Sequence, residues 1–64
     1  MSRKADPYRI AEAKRAALRD RLIGEGMLPN AVDRLLEAWD AQDNIHLTRA
    51  YGEPAYRWIV ARRQ

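Results

Sequence analysis

His46 is the single histidine of the chain, and Asp43 stands three residues before it. A carboxylate beside an imidazole is the smallest pairing that could move protons near neutral pH. Catalysis needs more: a nucleophile or bound water and a pocket that shifts the pKa. The only serine is Ser2, at the start of the chain, and there is no cysteine. His46 and Asp43 therefore read as a solvated loop pair, and no catalytic residue is assigned. Asp40, Asp43 and Asn44 could offer oxygens to a hard cation. They lack the spaced ligands, the central glycine and the bidentate glutamate of a calcium loop, so they read as the exit of a helix. Gly24-Glu25-Gly26 lacks the lysine and the preceding strand of a phosphate-binding loop. No enzyme activity, metal, cofactor or small-molecule substrate is expected.

The charged residues carry the next possibility. The formal charge is +3, with ten arginines among the twelve basic residues. Residues 1–24 hold seven basic and three acidic side chains, residues 25–48 one and five, and residues 49–64 four and one. Helix, glycine turn and helix suggest a DNA-reading motif, whose second helix would enter the major groove. The exposed start of that helix holds Asn30, Asp33, Arg34 and Glu37, with Asp40 and Asp43 beyond. Those carboxylates would face a polyanion with only Arg34 to offset them. Aligning Gly26 with the turn glycine of such a motif also places Arg21 and Glu25 where it needs apolar residues. A sequence-independent version survives, built on Arg15, Arg19, Arg57, Arg62 and Arg63, with Arg3, Lys4, Lys14 and Arg21 adding to it. An arginine-rich chain with eleven alanines is also what GC-rich coding produces, so solvated arginine faces are the plainer reading of the same residues.

Contact with another protein is the reading the residue types favour. Tryptophan, tyrosine and arginine are enriched at binding hot spots. The chain has two Trp and three Tyr and no Phe. Tyr8, Tyr56, Val60 and Trp58 are the candidate contact residues. At least one of Trp39 and Trp58 is expected in the core.

Those side chains must be positioned by helices. Asp6-Pro7 reads as an N-cap followed by proline at the first helical position. Nothing breaks a helix over residues 7–23, where Ile10, Ala11, Ala17, Leu18 and Leu22 share a face. Arg9, Glu12, Arg19 and Asp20 lie opposite, and Ile23 falls beside the stripe, at the turn. Gly24 or Gly26 closes this helix in a left-handed conformation, and Met27-Leu28 tuck beneath it. The second helix spans about residues 29–42, opened by Pro29 with Leu28 as cap, or by Asn30 as cap. Val32, Leu35, Leu36 and Trp39 follow helical spacing, and Leu28 extends that stripe backwards. Residues 44–52 read as a loop with a turn capped by Thr48. A third helix covers about residues 54–63, with Tyr51, Ala55, Trp58 and Ile59 on one stripe and Tyr56 and Val60 on a second. One of the two is expected to stay exposed. Residues 1–5 are expected to fray.

Sixty-four residues leave room for one domain. A chain this short buries only about 60% of its unfolded surface, so it must pack well or be completed by a partner. There is no run of roughly 20 apolar residues to span a membrane, and no apolar leader follows the start. A cytoplasmic location is the expectation, without membrane association. Gly26-Met27-Leu28-Pro29, then Val32, Leu35, Leu36, Ala38 and Trp39, and finally Trp58-Ile59, resemble short uncharacterised helical proteins of GC-rich bacteria and their phages. A fainter likeness, in the glycine and apolar residue before helix 2, is to ubiquitin-associated-type modules. Pro29 and the long first helix depart from these. Neither resemblance implies an activity or a ligand. The expected fold is all-α, a small three-helix bundle built on a helical hairpin. The expected function is a small non-enzymatic protein-interaction module of the bacterial or phage regulatory-accessory kind, acting on a protein partner or as a homodimer. The alternative is a basic nucleic-acid-binding protein.

Overall fold

In the computed structural model, residues 7–42 and 50–63 are described, with side chains from Arg9 onward. Three helices follow in order: α1 (Pro7–Gly24), α2 (Pro29–Asp40) and α3 (Glu53–Arg62). The described residues form an all-α bundle in which α2 packs against both α1 and α3. The fraying of residues 1–5, the Asp6 cap, the Tyr8 side chain and the loop readings at Asp43, Asn44, Ile45, His46, Leu47 and Thr48 lie outside the described residues.

The turn after α1 is settled in favour of Gly26, which has φ +106°. Its N–H bonds to the Ile23 carbonyl at 3.0 Å, and the Met27 N–H reaches back to the Leu22 carbonyl at 3.1 Å. This pair of bonds is a Schellman closure, which satisfies two carbonyls that a helix end would leave orphaned. Its usual apolar contact is present too: Met27 and Leu22 are both buried in the core. Leu28 does not join them. It is 70% exposed, because α2 begins at the next residue and the stripe starts at Val32.

Leu28 is the N-cap of α2 and makes no side-chain capping bond; its carbonyl accepts the first helical bond, from Val32. Pro29 at the first position removes one N–H that would otherwise lack a partner. The helix stops at Asp40, two residues short of the expected end, where the Gln42 N–H turns to the Trp39 carbonyl. α3 is entered through Gly52, and Glu53 sits in its first turn, where a negative charge suits the helix dipole.

Leu22, Val32, Leu36, Ala55 and Ile59 are fully enclosed, with Leu18, Met27 and Tyr51 nearly so. The buried side of α1 is rotated from the expected one. Ala17 and Ile10 face outward, Ile10 at 43% exposure, while Ala11, Leu18, Leu22 and Ile23 pack inward. Arg15 and Arg19 lie half-buried along α2 in this orientation and pair with Asp40 and Asp33. Two arginines on the inner side also explain why α1 is weakly amphipathic and α2 strongly so. Neither tryptophan belongs to the fully buried core, against expectation. Trp39 and Trp58 are half-buried and meet edge to face, centroids 5.5 Å apart, where the end of α2 meets α3. Each indole covers part of the other in this edge-to-face contact.

Candidate functional site

Two polar clusters tie the helices together. In the first, Arg15 Nε lies 3.2 Å from Asp40 Oδ2, and the Tyr51 hydroxyl donates to Asp40 Oδ1. Asp40 thereby links α1, α2 and the segment leading into α3. Two turns towards the start of α2, Arg19 grips Asp33 through two bonds, of 2.7 and 3.4 Å. The hydrogen bond from Arg19 holds the Asp33 carboxyl below its ordinary range, and the same bond raises Arg19.

The second cluster joins the end of α1 to the start of α3. Arg21 lies 3.5 Å over the Tyr56 ring, donates to Glu53 at 3.2 Å and pairs with Glu25 at 3.6 Å. The Tyr56 hydroxyl donates to Glu25 Oε1 at 2.7 Å, and Arg57 approaches Glu53 at 3.8 Å. Glu25 raises the Tyr56 pKa by holding the phenol proton, with burial adding to the effect.

These clusters decide where the sequence candidates stand. Tyr56 and Val60 are half-buried against the core, so the second stripe of α3 is not left open as expected. Trp58 is half-buried, with Arg62 stacked 3.9 Å over its ring and bonded to its carbonyl. The Tyr8 side chain is not among those described. Of the five arginines of the nucleic-acid reading, Arg15 and Arg19 are committed to Asp40 and Asp33, and Arg57 sits beside Glu53. Arg19 lies on the α2 side of its helix rather than opposite it. Asp33 and Asp40 of α2 meet α1 of their own chain.

Arg62 and Arg63 border a feature the sequence reading did not assemble. Between the start of α2 and the end of α3 lies an open groove of about 610 Å³. Met27, Leu28, Ala31 and Leu35 supply its apolar surface, and Glu25, Arg34, Arg62 and Arg63 its polar edge. Leu28, Ala31 and Leu35 follow one side of α2 at helical spacing, next to the Val32–Leu36 side that faces the core. Glu25 is already matched by Arg21 and Tyr56. Among the described residues, Arg34, Arg62 and Arg63 have no carboxylate partner, so the edge of the groove is positive. A signal was present in the sequence: a leucine immediately before Pro29, where a capping residue belongs.

Among the described residues, no helix is long and apolar enough to cross a membrane, and no three His, Cys, Asp or Glu are grouped to hold a metal. No family model, curated protein or solved structure matches the chain.

Proposed function

We propose that this chain is a non-enzymatic protein-interaction module whose contact surface is the groove between α2 and the end of α3. One observation supports this above the others: Leu28 is 70% exposed at the N-cap of α2, inside the groove. Leucine is poor there on two counts. It cannot accept a bond from the first N–H groups of the helix, and it presents an apolar side chain to water. A residue that breaks a local rule without helping the fold points to a role outside folding. The earlier candidates Tyr56 and Trp58 serve this reading as scaffold: they hold α3 against the end of α1 and against α2. The nucleic-acid reading is weaker because the side chains of Arg15 and Arg19 are spent on internal pairs.

The test is Leu28→Ser. Serine can cap α2, so the variant is expected to fold with unchanged or slightly higher stability. Helical peptides selected from a display library on the wild-type chain are then measured against it. The proposal expects binding to fall about tenfold or more, the loss of one well-packed anchor. It fails if no selected peptide depends on Leu28.

A further inference from the structure

Resting on that reading, we infer that the occupant of the groove is an acidic amphipathic helix of a partner protein, its apolar side chains on Leu28, Ala31 and Leu35 and its carboxylates on Arg34, Arg62 and Arg63. Three features carry the choice. The apolar strip on α2 is narrow and runs at i, i+3 and i+7, the spacing that a second helix laid alongside it can match with its own stripe. The three arginines on the groove's edge have no carboxylate partner among the described residues, although Arg62 also stacks on Trp58, while Glu25 is compensated from its other side. Guanidinium groups bind carboxylates in a planar, two-pronged fashion, which rewards Glu or Asp flanking the partner's apolar stripe.

The other occupants fit less well. A second copy of this chain joined groove to groove would bring two sets of these arginines together, a like-charge arrangement that opposes closure. Its α2 carboxylates Asp33 and Asp40 cannot serve as counter-charges, because they are held by Arg19 and Arg15 of their own chain. A nucleic acid would satisfy the arginines but leave Leu28 and Leu35 against phosphate, with nothing apolar to cover them.

The experiment uses the full chain and a synthetic helical peptide of about 16 residues, long enough to form a helix. It carries Leu at i, i+3, i+4 and i+7 and Glu at the flanking positions. A second peptide replaces every Glu with Gln. Affinities are read by fluorescence anisotropy at low and high salt, with Leu28→Ser and Arg34→Glu/Arg63→Glu as protein variants. We expect the Glu peptide to bind, and the Gln peptide and the charge-reversed variant each to weaken binding about tenfold or more. Added salt should weaken the Glu peptide alone. Equal binding of both peptides, lost in Leu28→Ser, would overturn the acidic partner while leaving the interaction reading intact. Two other results would overturn it as well. One is self-association of the wild-type chain that Leu28→Ser abolishes, with neither peptide bound. The other is salt-sensitive binding of duplex DNA that Arg34→Glu/Arg63→Glu abolishes.

Discussion

Leu28 and Leu36 lie eight residues apart around α2, and the same substitution at each should have opposite weight. Leu36 is fully enclosed and Leu28 is 70% exposed. Replacing a buried leucine by alanine loses its transfer free energy and opens a cavity, together about 2–5 kcal/mol. Leu36 sits between α1 and α3 at the centre of the core, with Leu22, Val32 and Ile59 enclosed in the same cluster. The bundle has little second layer to collapse inward, which places Leu36→Ala in the upper part of that range. A domain of this length has roughly 3–10 kcal/mol in total, so the variant stands at the edge of folding. At about 4–8 °C per kcal/mol, the melting temperature should fall by about 10 °C or more. Leu28 has 30% of its surface covered, and full burial of a leucine stabilises by about 1.5–3 kcal/mol. Leu28→Ala therefore costs below about 1 kcal/mol, with no change in capping, since alanine caps as poorly as leucine. Thermal and urea unfolding followed by circular dichroism would measure both. Equal losses at the two positions would show that α2 is rotated about its axis from the arrangement described, and the groove argument would fall with it.

Four further outcomes test other parts of the fold. Gly26→Ala should destabilise by about 1–2 kcal/mol, because φ +106° is closed to a residue with a Cβ; no atom lies within 4 Å of the position a Cβ would take, so the loss comes from backbone conformation alone, and urea midpoints would show it. Acid and alkali should act through different pairs. Asp33 is held below its ordinary pKa by Arg19, so its stabilisation is present above about pH 4 and is lost as pH falls through the lower folded-state value; Asp33→Asn should flatten the stability profile in that acid range. Tyr56 is raised by Glu25, so its contribution is complete below about pH 10 and is lost as pH rises through the higher folded-state value; Tyr56→Phe should remove that alkaline loss in pH-dependent unfolding. A double-mutant cycle over Trp39→Leu and Trp58→Leu should give a coupling of about 0.5–1.5 kcal/mol, and additivity would deny the edge-to-face contact.

The helices were legible because their signals are local. Pro29 and Pro54 mark starts, glycine marks the end of α1, and Val32, Leu36 and Ile59 fall on stripes that periodicity exposes directly. What periodicity could not supply was the partner of each charge. Arg19 was read as outward because arginine is hydrophilic and lay opposite Ile10. Whether a half-buried arginine is tolerated depends on a carboxylate 14 residues away, here Asp33, which only the packing of α2 on α1 brings near. The same limit applied to Tyr56. Its separation from the Ala55–Ile59 stripe suggested exposure, but Arg21 of α1 and Glu25 of the following turn cover and bind it. The choice between Asn30 and Leu28 as the cap of α2 was open for a related reason: capping preference favours asparagine, whereas the fixed φ of Pro29 starts the helix two residues earlier.

That last competition bears on function as well as on fold. Proline at the first helical position forces residue 28 to be the cap, and nothing in the fold then requires a leucine there. Met27 already closes the turn against Leu22, and α2 reaches the core from Val32 onward. A serine, aspartate or asparagine at position 28 would bind the free N–H groups and remove an apolar side chain from water. The leucine instead continues an apolar strip with Ala31 and Leu35, bordered by three arginines whose charge the described part of the fold leaves unmatched. The internal carboxylates of α2 are drawn inward by Arg15 and Arg19 in the same structure. Charge is thus sorted by face. Asp33 and Asp40 are paired within the chain, and the α3 side of α2 keeps a net positive edge around exposed apolar surface. A face that is both apolar and short of carboxylates is the one from which a complementary partner gains most, because it covers exposed apolar surface and supplies the counter-charges the groove's edge lacks.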